Sequence, residues 1–383
     1  MNVIILSPHF PFNHTRFCNR LHDLGVNVLA IDHVDQSELN CSLKGYYKVS
    51  DLNNTQELTQ AFDHFIQSYG IIDRVESNNE HWLQVQAELR SKYNIPGMKN
   101  DQIQSIKKKS EMKKIYLAAG LSAAKGRLVP NLESALQLAK EIGYPVMVKP
   151  DIGVGGSGCQ KIRNDEELRT FFRSPKQDYL MEEFIEGSLV SFDGLVDRDG
   201  KIVFYTVHIC SAGIAEVVNH QLDYYFYSLR DIPTDLETIG RKTVKAFSVK
   251  ESFFHLEYFR RHSDGKIVPI EVNIRAPGGG VVDMCNYACD IDLYMEWAKI
   301  VAGVNQPFSY ERKYHCITVI RRYKNHYVHS HDEILEKWGH MIVHHEKTVP
   351  LNKATMGDYY YMARTSTFDE LMSLQHFVQE TDG

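Results

Sequence analysis

A strong charge of either sign is missing from this chain, and its absence removes several functions. The formal net charge is −6 over 383 residues, which leaves no electrostatic footprint for nucleic acid. The run Lys107-Lys108-Lys109 is short and isolated, so it is no polybasic tail. Long hydrophobic runs are missing too, and none approaches the roughly 20 residues of a membrane-spanning helix. The opening stretch Met1–Leu6 has no basic flank, and its apolar run is too short for a signal peptide. Seven cysteines are scattered; Cys285 and Cys289 lie four apart, with no second pair at metal-ligand spacing. We read these two as buried thiols on a helix and expect a reducing, cytoplasmic setting. Internal repeats and low-complexity tracts are absent. What remains is ordinary globular composition, 43% hydrophobic and 24% charged, in a chain long enough for two or three domains.

Strand and helix signals alternate over 1–98, which predicts a Rossmann-like parallel α/β unit. Its strand-end loops, 7–12 and 76–80, belong on the edge where ligands usually bind. His9, Glu76 and Glu80 lie there, and ordinary loop polarity explains any one of them. A Lys-rich helical linker follows over 99–120, stopped by Ala118-Ala119-Gly120. Next comes a compact α+β unit over 121–185, then long antiparallel strands over 186–305, then a mixed α/β segment over 306–383. The overall class is therefore α/β and α+β, multidomain. The stretch His208–Tyr227 reads as strand and loop that could wall an acceptor site, or more simply as aromatic cross-strand pairs. The histidines from His315 to His345 show no zinc spacing and read as surface residues.

The segment Pro269-Ile270-Glu271-Val272-Asn273-Ile274-Arg275 carries the most information. On a strand Glu271, Asn273 and Arg275 share one face, while Ile270, Val272 and Ile274 share the apolar one. Ser263-Asp264-Gly265 reads as a three-residue hairpin loop ending in glycine, a register that sets Glu257 opposite Glu271. Like charges placed opposite each other destabilise a sheet, and a bridging cation removes the conflict. Two carboxylates and an amide suit a hard divalent ion, and a guanidinium beside them suits an anion.

The run Gly153-Val154-Gly155-Gly156-Ser157-Gly158 formally matches the dinucleotide fingerprint, which requires a helix to open at once after the glycines. Cys159–Ile162 is too short and too strand-like for that helix. The glycines therefore join two antiparallel strands, and their amides are free to fold over phosphates. The strand before them brings Lys149 close. Met181-Glu182-Glu183-Phe184-Ile185-Glu186-Gly187 then links the small unit to the next sheet, where exposed backbone groups can read an adenine edge.

In their order and spacing these residues resemble the ATP-grasp superfamily over about 100–305, most closely its carboxylate–amine and L-amino-acid ligase branch. The N-terminal unit matches that family's first domain in kind. The resemblance implies an ATP-grasp fold, with 121–185 as the lid and 186–305 as the large metal-bearing subdomain. It implies ATP bound by Lys109, Lys149, Gly153, Gly155, Gly156, Ser157, Gly158 and the connector Glu182, Glu183, Phe184, Ile185. It implies Mg²⁺ or Mn²⁺, two ions, held by Glu257, Glu271 and Asn273. Arg275 and Lys149 would be the catalytic residues, with Arg275 holding a carboxylate or an oxyanion. Leu189 stands where many members carry a ribose-binding glutamate; Glu186 or Asp193 are the candidates to replace it. The implied activity joins a carboxylate, activated as an acyl phosphate, to an amine, with release of ADP and phosphate. Its partners would be small molecules, with neither nucleic acid nor membrane, and a homodimer is compatible with it.

Three other readings compete: a bicarbonate-using ATP-grasp carboxylase, an ATP-binding regulatory protein without turnover, and a nicotinamide oxidoreductase. The hairpin setting of the glycines counts against the last. Only a ligand that binds the native state raises stability. ATP with Mg²⁺ is therefore expected to raise the Tm in a thermal-shift assay, and NAD to leave it unchanged.

Overall fold

In this computed structural model, residues 1–11, 13–153, 158–173 and 178–382 are described. The first unit comprises β1 (Asn2–Leu6), α1 (Thr15–Asp23), β2 (Asn27–Asp32), β3 (Gly45–Lys48), α2 (Thr55–Tyr69), β4 (Arg74–Glu76) and α3 (Leu83–Lys92). Its sheet has the order β3-β2-β1-β4 and is parallel throughout. β1 is apolar along nearly its whole length because both faces of the sheet are covered. Ile4, Leu6, Leu29 and Ile31 pack on Phe62 and Phe65 of α2, while Val3, Ile5 and Val28 join Phe17 of α1 on the other side.

Two short helices, α4 (Asn100–Lys107) and α5 (Lys109–Ala118), lead into a small lid-like unit. This unit holds β5 (Gly126–Val129), α6 (Leu132–Ile142), β6 (Val146–Pro150), β7 (Gln160–Ile162), α7 (Asp165–Phe171) and β8 (Tyr179–Glu183). Its sheet is antiparallel, in the order β5-β8-β6-β7. The glycine run joins β6 to β7, and the next helix begins only after β7, capped by the Asn164 side chain on the Glu167 amide. A Rossmann phosphate turn is thereby excluded, as its helix must follow the glycines directly.

The rest of the chain builds β9 (Gly187–Val196), β10 (Ile202–Cys210), α8 (Ile214–His220), β11 (Tyr225–Ser228), α9 (Thr234–Ala246), β12 (Ser252–Arg261), β13 (Ile267–Asn273), α10 (Val281–Cys289) and α11 (Leu293–Ala302). β14 (His315–Arg321), α12 (His331–Trp338), β15 (Ile342–Lys347), α13 (Lys353–Met356), β16 (Tyr359–Thr365) and α14 (Phe368–Gln379) complete it. All eight strands form one antiparallel sheet, ordered β13-β12-β9-β10-β11-β14-β16-β15, so the sheet continues across 305/306. Cys285 and Cys289 are buried on α10, as expected. The stretch read as strand and loop contains α8, and the histidines read as surface are largely half-buried against tyrosines, such as His331 on the Tyr361 hydroxyl at 2.8 Å.

One face of the sheet is apolar around Phe192, Val207, Phe254, Leu256 and Val272, and packs on α5 and α9. The opposite face is apolar at Leu195, Phe204 and Phe253, where it meets α1, α10 and α11 around the fully buried Trp297. The first unit shares this second core, so the two units are joined by burial and not by a tether. Arg74 of β4 adds a paired contact to Glu251, just before β12, with Nη1 at 3.2 Å.

The carboxylate hairpin shows why register needs more than a loop count. The connection is four residues, His262 to Gly265, one more than the sequence reading: the Gly265 amide bonds the Arg261 carbonyl at 2.9 Å, with Gly265 at φ +69°. A bulge between Glu257 and Tyr258 then shifts the register back, so that Glu257 still faces Glu271. The unmatched residue is Ile270, beside Pro269. β13 is an edge strand, where a proline without an N–H is tolerated. Val272 and Ile274 reach the apolar core, but Ile270 is half-buried outside it, because the bulge breaks the alternation there.

α9 lies against β9 through Gly240, where an added Cβ would overlap the Phe192 ring. Gly240→Ala gains helix propensity but overpacks this contact. Urea denaturation is expected to show a loss of about 1–3 kcal/mol.

Candidate functional site

Two rows of polar side chains cross the large sheet on one face. The first runs Glu271, Glu257, Ser191, His208 over β13, β12, β9 and β10; the second runs Asn273, His255, Asp193, Thr206. They share a face because each row lies two residues from the other on every strand. Asp193 is fully buried and accepts from His208 Nδ1 at 2.8 Å, from His255 Nδ1 at 2.5 Å and from the Ser191 hydroxyl. The other nitrogen of His255 lies 3.5 Å from Glu257. Burial opposes charge on His255, but Asp193 and Glu257 outweigh it and push its pKa up to about 10. Burial likewise opposes ionisation of Glu257, yet His255 and Arg275 hold its carboxyl below the ordinary value. His255 is thus a cation between two carboxylates that fixes the orientation of Glu257.

Glu271 differs. Burial lifts its carboxyl above the ordinary range; Lys109 works against this, and Glu257 and Glu80 add to it. Lys109 Nζ sits 2.7 Å from Glu271 and 3.3 Å from the Gly153 carbonyl, so the first lysine of α5 bridges the hairpin and the start of the glycine run. Asp151, at the end of β6, anchors that helix by accepting the Ser110 amide at 2.7 Å and the Ser110 hydroxyl at 2.8 Å. Lys149 Nζ and Lys113 Nζ each lie 2.5 Å from one buried carboxylate, Glu182. Burial opposes the charge of Glu182, and the two lysines together hold its carboxyl below the usual value.

The sequence readings therefore fare unevenly as geometry. Lys109, Lys149, Glu182, Glu257, Glu271 and Asn273 gather where the lid, α5 and the large sheet meet, and Gly153 is there through Lys109. Glu182 enters as a buried side-chain anion and not only as backbone. Phe184 and Ile185 lie between β8 and β9; the Glu183 and Phe184 amides already donate to Lys125 and Pro145, at 2.8 and 3.1 Å. Gly158 adopts φ +75°. Gly155, Gly156 and Ser157 lie outside the described residues. Of the two candidates to replace the ribose glutamate, Asp193 is committed to its histidines, while Glu186 is exposed at the connector. Leu189 is buried opposite Phe259.

Arg275 Nη2 lies 2.7 Å from Glu80, and Nη1 donates to the Ala276 carbonyl at 3.0 Å. Glu80 belongs to the first unit, so that unit reaches the site. Glu76, the other loop glutamate, is instead buried against Arg90 at 2.8 Å and Gln86 at 3.1 Å. The sequence reading missed Lys113, Asp193 as a histidine partner, and His255. Polar residues in otherwise apolar strands are the signal that points to the last two, since such residues are retained only when paired.

The donor set fits a magnesium-type ion: two facing carboxylates and the buried Asn273, whose amide has no hydrogen-bond partner among the described residues. Lys109, Lys149 and the start of the glycine run lie beside it, an arrangement of the kind an ATP-grasp fold provides.

Comparison with known proteins agrees. Residues 142–283 match the family model of the ATP-grasp domain, so this part of the chain is an ATP-grasp domain. Over 190 residues it is 30% identical to the carbamoyl phosphate synthase large chain of Thermotoga sp., covering 47% of this chain and 17% of that one. Over 251 residues it is 28% identical to the 2-oxoglutarate carboxylase small subunit of Hydrogenobacter thermophilus, covering 61% and 51%. The match thus spans under a fifth to about half of these relatives. The L-amino acid ligase from Bacillus licheniformis superposes with a TM-score of 0.75 at 14% identity, covering 98% of this chain and 96% of that one, a likeness of fold. No helix among the described residues is long and apolar enough to cross a membrane.

The Asp193–His255 pair makes stability depend on pH in a definite sense. A raised histidine pKa stabilises fully below its ordinary value of about 6.5, and that stabilisation declines until it is gone near pH 10. The depressed Asp193 carboxyl stabilises above its own ordinary range, and this is lost on acidification. Melting curves in EDTA should show the wild type losing Tm toward pH 10 more steeply than Asp193→Asn.

Proposed function

We propose that this protein is an ATP-dependent carbon–nitrogen ligase that activates a small carboxylic acid, such as an amino acid, as an acyl phosphate and joins it to an amine. The observation that carries this reading is the facing Glu257–Glu271 pair, with Lys109 on one carboxylate and Arg275 held by Glu80 at the same site. Phosphoryl transfer demands in-line positioning and charge neutralisation more than a strong base. Lys109 and Lys149 supply positive charge, and an arriving triphosphate competes for ammonium groups now held by Glu271 and Glu182. Two Mg²⁺ ions on Glu257, Glu271 and Asn273 would supply further neutralisation of the phosphates. The connector Glu182–Ile185 would take the adenine, and the lid with its glycine run Gly153–Gly158 would close over the phosphates. Closure protects the acyl phosphate from water. Arg275 would orient the carboxylate through its planar fork.

The longer alignment with a 2-oxoglutarate carboxylase subunit favours one second reading, in which bicarbonate is the acid activated. ADP release that requires bicarbonate and no amine would select it. The ligase reading is tested by measuring ADP release over pairs of amino acids, with mass detection of the product. Glu271→Ala is expected to abolish acid-dependent ADP release, and turnover near the wild-type rate in that variant would remove the assignment.

A further inference from the structure

The parallel sheet of the first unit ends in a polar cluster that the carboxylate site does not use. Side chains just past the carboxyl ends of β1 and β2 meet there, on the edge where an open α/β sheet takes its ligands. Asp32 closes β2 with no exposed side-chain surface. The loop after β1 turns at Ser7, a non-glycine residue at φ +55°, whose amide donates to the Ile31 carbonyl at 3.0 Å. A left-handed residue of this kind costs of order 1–3 kcal/mol and persists where the surroundings impose it. The turn brings His9 onto Asp32, and His33 follows Asp32 directly in the chain.

Two imidazole nitrogens converge on this one carboxylate. His9 Nδ1 lies 2.8 Å from Oδ2 and His33 Nδ1 lies 3.2 Å from Oδ1; one ligand atom from each of the three residues falls within 4.8 Å of the others. A tetrahedral zinc-type ion with bonds of about 2.0–2.1 Å sets its ligand atoms about 3.3 Å apart, close to the spacing of these two contacts. The carboxylate also accepts the backbone amides of His9, at 3.2 Å, and His33, at 2.8 Å. With the imidazoles turned to an ion, those amides still hold the carboxylate in place, as hydrogen bonds to a ligating carboxylate do. No lysine or arginine pairs with Asp32 among the described residues, so a divalent ion would supply the counter-charge that a buried carboxylate needs. The His9 and His33 side chains are 24% and 47% exposed, and no fourth His, Cys, Asp or Glu joins the group among the described residues. Three protein ligands with a fourth position open to solvent make a zinc site that takes water or a small ligand.

We propose that His9, Asp32 and His33 bind one zinc-class divalent cation, separate from the magnesium-type ion of the Glu257–Glu271 pair. Nitrogen ligands select zinc, whereas magnesium takes oxygen and keeps its waters. The ion clamps the loop after β1 to the end of β2 and presents an open coordination position at that edge of the sheet. The assignment does not rest on the ligase reading, since it needs neither ATP nor an acid substrate.

Metal uptake by the whole chain provides the test. The protein is stripped with EDTA, freed of the chelator and dialysed against Zn²⁺, with Mg²⁺ in large excess to occupy the carboxylate pair. Wild type and Glu271→Ala are expected to hold one equivalent of zinc that His9→Ala and His33→Ala lack. The His33 side chain is half exposed, so His33→Ala should keep the wild-type circular dichroism, which separates lost binding from lost fold. Zinc should also raise the Tm of the wild type and leave that of His33→Ala unchanged. Nitrogen-15 NMR identifies the ligands directly: one equivalent of zinc should shift the ring nitrogens of His9 and His33 and leave the other histidines in place. A wild type that takes up no zinc would overturn the assignment and leave two plain hydrogen bonds to Asp32. Uptake equal in wild type and His33→Ala would overturn it as adventitious binding, and uptake lost in Glu271→Ala would move the ion to the carboxylate pair.

Discussion

Two carboxylates placed opposite each other on neighbouring strands are the constraint on which the site depends. Left alone, Glu257 and Glu271 would repel across the β12–β13 ladder. The protein resolves this from two sides. His255, charged because Asp193 stands behind it, holds Glu257 ionised, while Lys109 approaches Glu271 from α5. The two glutamates are thereby made unequal: one is held as an anion, and the carboxyl of the other is lifted by burial, with Lys109 opposing and Glu257 and Glu80 adding to it. Under the proposed ligase reading a divalent ion would sit on this pair, where phosphoryl transfer requires neutralisation of charge.

The same economy of charge links the three parts of the chain. Lys109 joins the large sheet to the start of the glycine run, Glu182 joins the lid to Lys113 of α5, and Asp151 ties the end of β6 to the N-terminus of that helix. Glu80 carries the first unit to Arg275. Because the first unit also shares an apolar core with the large sheet, its loops meet the site in a fixed relation.

Much of the architecture was legible before any coordinates. The strand-helix alternation gave the parallel unit, and the missing helix after the glycines separated a hairpin between two antiparallel strands from a dinucleotide turn. The motif order named Lys109, Lys149, Glu257, Glu271 and Asn273. Other features were out of reach. The reading of a three-residue loop and an unbroken strand reached the correct Glu257–Glu271 register through two errors that cancel, a longer loop and a bulge at Ile270. α8 and α9 went unread because short amphipathic stretches of mixed polarity resemble connecting segments.

The sequence by itself determined which residue types stand two apart on a strand and which lysines flank a glycine run, since such relations are set by local backbone periodicity. Only the tertiary structure decided that Glu80 reaches Arg275 while Glu76 is spent on Arg90, that Asp193 serves two histidines, and that Asp32 gathers His9 and His33. The physical reason is that a polar side chain in a loop or a buried strand takes its role from the partner that satisfies it. That partner is brought close by packing between segments far apart in the chain.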